Sequence, residues 1–497
     1  MSTTSRRSSS PTHSSSHDDE EDDERLSIVQ PLGYSLSTCG YCSPKGQRST
    51  TKSSRSYGCW GHALSAETYK ALIDRGWRRS GCYLYKPDNG RTCCPQYTIS
   101  LDAAAFQPSR SQRQVLQRFN AFVRDGEREG QPGWGPVASG SGTAKEEGED
   151  AAMQPAKGGK KDKGKGKANQ AQGDWTELVH AAEWDKSTEE KPFKHRFECI
   201  VEPASFTEEK YKLYRRYQME VHGDSASKVT PGGFRRFLVD SPLEIEPTRA
   251  LGLSYGSHHV LYRLDGRLVA LAVLDLLPRA VSSVYFIWDP DYAGLSLGKL
   301  SALRETAMVR EMQARGAWTG EGRYMMGFYI HSCPKMRYKA DYQPSFLLDP
   351  ETNVYYPWST CKPLLDAASS GVASFSRPAS SSSSSTPPAA ATSPPAASAP
   401  VSANAAAGNR SLSDEEDEEE DDDDDVAFPS PPPLGCLDPH QLPKDLLLGS
   451  FVIEQRTLMP LLLSTAWHDP ALQQETRELL AATGDAAKGK MAIWTGR

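Results

Sequence analysis

Four thiols stand in two short motifs, Cys39-Gly-Tyr-Cys42 and the adjacent pair Cys93-Cys94. A CxxC pair grips one ion from a tight turn, and a second pair beside it completes a tetrahedral sulfur set for zinc or an iron–sulfur cluster such as [4Fe-4S]. The same spacing also fits four buried thiols or a redox CxxC. Cys59, His62 and Cys82 are reserve ligands. A second group is cationic: Arg75, Arg78, Arg79 and Lys86 crowd into RGWRRSGCYLYK with Trp77, Tyr83 and Tyr85. Guanidinium forks suit carboxylates and phosphates, although a solvated basic loop has the same composition. A third group, His258, His259, Asp289, Asp291 and His331, is expected at or beside strand ends. Asp289-Pro-Asp291 is the best placed of these for catalysis, and it also fits a plain turn.

The elements that must position these groups are clearest between Tyr255 and Met312. Two β-rich runs, HHVLYRL and RLVALAVLDLLP, flank Asp265-Gly266, a dipeptide suited to a two-residue hairpin turn. A third run, VSSVYFIW, ends at Asp289. A loop holding Gly294, Ser296 and Gly298 then feeds a helix with Leu297, Leu300, Leu303 and Ala307 at helical spacing. Such a helix start presents free N–H groups to an anionic or developing-anion ligand. This order is that of the GNAT acyl-transfer fold, and an ordinary α+β domain with a mobile loop satisfies it too. YMMGFYI reads as a buried strand running into His331. Upstream, Leu64–Arg75 reads as a helix capped by Ser65, Tyr97–Leu101 as a strand, and Val115, Leu116, Phe119, Phe122 and Val123 as one helical stripe. Ser205-x-x-Glu208 reads as a capping box.

Only 37% of the 497 residues are hydrophobic and the mean hydropathy is −0.59, so much of the chain cannot belong to a packed core. The net charge is −7, but setting aside the seven acids of Asp18–Glu24 and the twelve of Asp414–Asp425 leaves +12, compatible with an RNA partner. No apolar run reaches the roughly 18 residues of a membrane span, and no secretory leader is visible. A reducing compartment follows, so the cysteines read as thiols or metal ligands. The composition divides the chain into a disordered acidic tail (1–26), an N-terminal Cys-rich domain (27–128) and a Lys/Gly linker (129–174), whose basic run could also touch RNA or direct nuclear import. A catalytic domain (175–366), a disordered Ser/Pro/acidic insertion (367–433) and a helical addition to that domain (434–497) complete it.

These segments resemble the arginyl-tRNA–protein transferases. The resemblance rests on CGYC, LIDRGWRRSG and CCPQYTI in the first part. In the second it rests on YKLYRRYQ, LDGRLVALAVLDLLP, SSVYFIWDPDYAGLSLGKLSALRE and YIHSCPKMRYKADYQPSFLLDP. It covers 27–126 and 197–366. It implies a GNAT-like α+β catalytic domain beside a small metal-binding domain, with zinc or an iron–sulfur cluster on Cys39, Cys42, Cys93 and Cys94. The implied reaction moves arginine from arginyl-tRNA to proteins beginning with Asp, Glu or oxidised Cys, marking them for ubiquitin-dependent degradation, with an N-degron ubiquitin ligase as a further partner. The expected location is the cytoplasm, with the nucleus as a second location, and no membrane association is expected.

The chemistry is aminolysis of an activated ester, which needs neither ATP nor CoA but needs a proton acceptor, oxyanion donors and two side-chain pockets. Arg75, Arg78 and Arg79 are assigned to the acceptor's acid. Asp289, Asp291 and Glu305 are assigned to the guanidinium or the amine, Gly294, Ser296 and Gly298 to the tRNA terminus, and His331 to the proton. Two rivals stand beside this reading. One is a CoA-dependent GNAT-type N-acetyltransferase, whose diphosphate Asp289 and Asp291 would repel. The other is a non-catalytic metal-sensing adaptor for N-terminal degradation signals.

Overall fold

Asp265 and Gly266 both take positive φ, 52° and 81°, and close a tight hairpin between strands Ser254–Leu264 and Arg267–Leu277. The next strand, Ala280–Trp288, returns antiparallel to Arg267–Leu277. Helix Leu297–Ala314 then carries the chain to Arg323–Tyr329, which pairs parallel to Ala280–Trp288. The computed structural model describes residues 25–43, 47–126, 174–184, 193–248, 250, 252, 254–368, 372–376 and 424–496. Of the acidic tail (1–26) residues 1–24, of the linker (129–174) residues 129–173, and of the insertion (367–433) residues 369–371 and 377–423 lie outside the described residues.

Among the described residues the mixed α+β architecture holds two sheets. The nine-stranded sheet runs Tyr355–Pro357, Ser345–Leu348, Tyr97–Asp102, Arg323–Tyr329, Ala280–Trp288, Arg267–Leu277, Ser254–Leu264, Phe197–Pro203, with Glu246–Pro247 attached to Ser254–Leu264. One face buries the helices Arg110–Asp125, Trp175–His180 and Leu297–Ala314. The other carries helix Glu208–Tyr217 and the turns that follow Pro231. The eight-stranded sheet runs Thr457–Pro460, Phe451–Glu454, Met491–Trp494, Ser27–Ser37, Ser54–Ala63, Tyr83–Pro87, Arg78–Ser80, with Asp424–Val426 beside Ser27–Ser37. One apolar cluster joins the sheets, because Leu277, Ala280 and Met325 of the larger pack with Tyr57, Tyr69 and Trp77 around the smaller.

Four expectations need correction. Tyr97–Asp102 belongs to the larger sheet, where antiparallel pairing with Arg323–Tyr329 on one edge and Ser345–Leu348 on the other satisfies the backbone groups of a buried strand. The 434–497 segment includes helix Pro470–Thr483, but it extends the smaller sheet instead of the catalytic domain. Its apolar run hides a hairpin whose turn residues, Gln455 and Arg456, take φ of 48° and 66° without the usual glycine or asparagine. The helix behind Ser205 is capped by Thr207, which accepts from Lys210 N, while Ser205 Oγ faces the Lys210 ammonium. The borders of the 367–433 insertion are folded: Asp349 accepts from the backbone N–H groups of Phe375 and Ser376, and Phe428 packs on Tyr34 and Tyr57.

The feature that shapes the site is a split between the two parallel strands. Their pairing covers three residue pairs, ending at Ser282 opposite Met325. Past that point both strands shift register against their other neighbours, Ala280–Trp288 between Ser283 and Tyr285, and Arg323–Tyr329 between Met325 and Phe328. A bulge reverses which residues face which side. Accordingly Val281 faces the helix-covered core but Phe286 and Trp288 do so after the shift, and Phe328 and Ile330 turn to a separate cluster while Tyr329 stays. Gly327 sits in the second bulge at φ +73°. Gly327→Ala is therefore expected to cost about 1–2 kcal/mol from backbone strain. Crowding adds little, since the new methyl would stand 3.7 Å from Lys339 Nζ. Calorimetry checks this, and an unchanged melting temperature would mean the strand regularises without the bulge.

Candidate metal centre and strand-split site

The four motif cysteines converge. Their sulfurs all lie within 4.8 Å of one another, with Cys39 and Cys94 buried and Cys42 and Cys93 exposed. The loops are tied locally: Cys39 N–H donates to Ser49 Oγ, Cys93 N–H to Ser53 O, and Asn89 and Gln96 exchange two bonds across the turn that carries Cys93-Cys94. Asp88 anchors that turn, accepting from Tyr34 Oη and Arg91. Burial pushes the Cys39 thiol up, but the Tyr41 and Cys42 N–H groups and the Cys93 and Cys42 thiols outweigh it, leaving a net lowering. Burial raises Cys94 and Cys93. The donor set fits a metal: a single tetrahedral ion with Zn–S near 2.3 Å requires sulfur separations of about 3.8 Å. Cys42 and Cys93 already stand 3.8 Å apart. The reserve residues stay outside this group, with Cys59 fully buried and His62 against Trp494.

The three arginines expected to act together have three different settings. Arg79 is committed within the fold: its Nη2 and Nε bond Asp275 at 2.6 and 2.8 Å, both side chains being almost wholly buried, and Ser257 and Gly81 take further bonds. Arg75 turns away toward Gly484 and Asp485 and lines a small polar cavity of about 20 Å³ with Lys86, Thr98 and Asn353. Arg78 alone of the three reaches the strand split. It donates to Trp77 O and to Gly327 O at 3.2 Å, and its guanidinium lies 5.2 Å from the Phe328 ring.

The expected catalytic set falls into separate environments. Asp289 and Asp291 form one ion-pair cluster with Arg216 and Arg267, with contacts of 2.5 Å from Arg216 to Asp289 and 2.7 Å to Asp291. Hydrogen bonding from Arg216 holds the Asp291 carboxyl below its usual range. Two cations thus neutralise the pair, which removes the repulsion by which these acids were expected to exclude a diphosphate. It also leaves neither acid free for a substrate guanidinium. Glu305 is buried inside helix Leu297–Ala314, bonded by Ser301 and Tyr324, and burial raises its pKa. His331 bonds Tyr329 Oη at 2.8 Å and lies 3.3 Å from Asp366, with burial lowering its pKa. His258 and His259 bond backbone carbonyls inside the sheet, and burial brings His259 down to about 4. Gly294 lies in the 3₁₀ turn before the helix, and Ser296, in left-handed conformation, accepts from Arg118 at 2.7 Å. Gly298, in the helix's first turn, has open space where a side chain would stand.

Sequence reasoning missed the residues that line the split. Ser283 is tied to Glu305 and Tyr324, while Tyr285 turns to the opposite face. Two π-helical turns, Gln218–His222 and Arg235–Val239, converge on Tyr285. Its hydroxyl lies 3.2 Å from Gln218 and His222, and its ring 4.9 Å from Phe237. π-turns recur at functional sites but have no sequence signature, so no motif announces them. Lys339, the last of the missed residues, bonds Phe328 O at 2.7 Å.

Comparison with known proteins bears on both halves. Residues 37–114, which contain all four cysteines, match the family profile described as arginine-tRNA-protein transferase, N terminus, and residues 209–349 match the corresponding C terminus profile. The chain is 32% identical to arginyl-tRNA–protein transferase 2 of Arabidopsis thaliana, over 70% of this chain and 78% of that protein. It belongs to the arginyl-tRNA–protein transferase family. Within this family of aminoacyltransferases it is also 33% identical to arginyl-tRNA–protein transferase 1 of Drosophila melanogaster, over 67% of this chain and 82% of the relative. A more distant similarity, 27% identity over 57% of this chain, is to the aspartate/glutamate leucyltransferase of Pseudomonas fluorescens. The profile for the C terminus spans the hairpin, the split and the Asp289–Asp291 cluster, so the family assignment and the unusual geometry fall on the same residues.

Proposed function

We propose that this protein transfers arginine from arginyl-tRNA to the N-terminal α-amine of proteins beginning with Asp, Glu or oxidised Cys, and that the strand split is where the acyl group sits. The observation that carries the reading is family membership across both halves of the chain. The acidic acceptor class is supported by the bacterial relative, whose name specifies aspartate and glutamate. Strands that separate after a short parallel pairing, each with a bulge at the fork and a helix between them, support a GNAT-like catalytic half.

The reaction follows from these parts. The neutral α-amine attacks the ester carbonyl, the tetrahedral oxyanion collapses, the C–O bond to the tRNA ribose breaks, and an amide forms. The leaving ribose hydroxyl takes up a proton, and the amine loses one. Strand ends released from pairing offer N–H groups to the oxyanion. His331, oriented by Asp366 and Tyr329, accepts the amine's proton. The helix start at Leu297, with Arg118 at Ser296, faces the tRNA terminus. Cys39, Cys42, Cys93 and Cys94 would hold the metal centre, and sulfurs within 4.8 Å of one another suit a single tetrahedral ion. The ion would act structurally, fixing the loops beside Phe328 and Cys333.

Labelled arginyl-tRNA and an Asp-initiated peptide test the reading. Arginylated peptide is expected without CoA or ATP. Acetyl transfer from acetyl-CoA in place of arginine transfer would establish the rival acyltransferase, and peptide binding with no transfer would establish the adaptor.

A further inference from the structure

A cation inside a fold is costly unless something neutralises it, and chains normally supply a carboxylate. Arg79 shows that arrangement beside Asp275. Its neighbour Arg78 does not. Only 6% of Arg78 is exposed, yet among the described residues no carboxylate pairs with it, and its Nε atom is buried without a hydrogen-bond partner. Its hydrogen bonds go to two backbone carbonyls, and the Phe328 ring lies beside the guanidinium.

A second cation stands on the same bulge. Lys339 donates to Phe328 O while Arg78 donates to Gly327 O, so the two consecutive carbonyls at the register shift each hold a cation. Among the described residues Lys339 pairs with no carboxylate either. Burial, with the Arg78 charge adding to it, pushes its ammonium down to about 7. Two like charges held together at a fork in a sheet suit an anion. The surroundings limit what that anion is. Tyr83 and Tyr85 stack along one side, Phe328 packs below, and Ser283 and Gly327 remain half-exposed at the fork. A carboxylate suits this setting, since its two oxygens can be shared between donors from two different elements; a nucleic-acid phosphate is the competing anion, and salt dependence separates the two.

We propose that Arg78 and Lys339 together bind the side-chain carboxylate of the acceptor's first residue. This rests on the arginine-transfer reading and adds the residues that select the acceptor. An N-terminal Asp or Glu would set its acid between the two cations and leave its α-amine over the split, where the ester carbonyl lies. Arg79 and Arg75 have no part in this selection.

The test uses the full chain and peptides that begin with Asp, Glu or Asn but are otherwise identical. Transfer kinetics are measured with arginyl-tRNA, and peptide affinity is measured separately without tRNA. Lys339→Met is the main variant, because Lys339 is half-buried at the rim, and Arg78→Lys keeps the buried charge while removing the fork. In Lys339→Met the preference for Asp over Asn is expected to fall about ten-fold or more, chiefly through KM and peptide affinity. Arg78→Lys should fall less, and the KM for arginyl-tRNA should stay within about two-fold in both. An undiminished Asp preference in both variants would overturn the proposal. So would a loss of arginyl-tRNA affinity with a shallower salt dependence, which would mark a phosphate contact. If the wild type transferred no arginine at all, the parent reading would fail, while the tRNA-free affinities would still decide whether this pair binds a carboxylate.

Discussion

Serine at both Cys93 and Cys94 is expected to strip the cluster of metal and to loosen the structure well beyond the two substituted positions. A tetrathiolate ion contributes about 10–16 kcal/mol of apparent binding energy in small zinc-dependent folds at neutral pH. Even a fraction of that is large against a typical net stability of about 5–15 kcal/mol. Cys39 and Cys94 share their buried cluster with Phe328, Ile330 and Cys333. The loosening should therefore reach the larger sheet at Phe328–Cys333, where amide hydrogen exchange should accelerate. Metal content and exchange protection equal to wild type would show that the thiols are ordinary core residues. The Asp-over-Asn preference should weaken with the metal, since Phe328 lies between the thiols and the Arg78 guanidinium.

Several of these features were legible in the residues alone, for identifiable reasons. CxxC and CC are local motifs, and the Asp265-Gly266 turn and the leucine spacing of Leu297–Ala314 are short-range patterns. Patterns of this kind survive without knowledge of tertiary contacts. What failed was long-range. Tyr97–Asp102 follows the cysteine pair directly but pairs with strands more than two hundred residues later, and no local signal distinguishes that partner. Arg75, Arg78 and Arg79 looked equivalent because a helix end and a short strand place neighbouring side chains in different surroundings. Asp289 and Asp291 looked free because Arg216, their main partner, lies far back in the chain. Lys339 was overlooked because nothing local marks it out from Lys335 and Arg337 beside it, and only the fold brings it onto the Phe328 carbonyl.

Arg79→Ala is expected to destabilise the protein by about 3–5 kcal/mol, the usual effect of removing one partner from a buried pair and leaving the other charge stranded. The bidentate contact joins Arg79 of the smaller sheet to Asp275 of the larger, with side chains only 2% and 0% exposed. The loss should appear as a lower unfolding midpoint in denaturant, with arginine transfer per folded molecule retaining its acceptor preference. Asp275→Ala should behave alike. The Arg79→Met/Asp275→Leu double variant should recover much of the loss, since no charge is then left unpaired. A single variant that folds normally but no longer distinguishes Asp from Asn would instead make Arg79 a recognition residue.

The pairing of Met491–Trp494 with the strand that begins at Ser27 has a consequence for how the molecule is made. A ribosome adding about 5–20 residues per second takes on the order of tens of seconds to pass from the first of these strands to the last. All four cysteines emerge early in that interval, before Phe328, Ile330 and Cys333 exist to cover them. The nascent thiols are therefore open to metal, and equally to oxidants, for most of translation. Capture of an ion by the emerging N-terminal segment would protect them during that wait, and the later strands would close over a centre already filled.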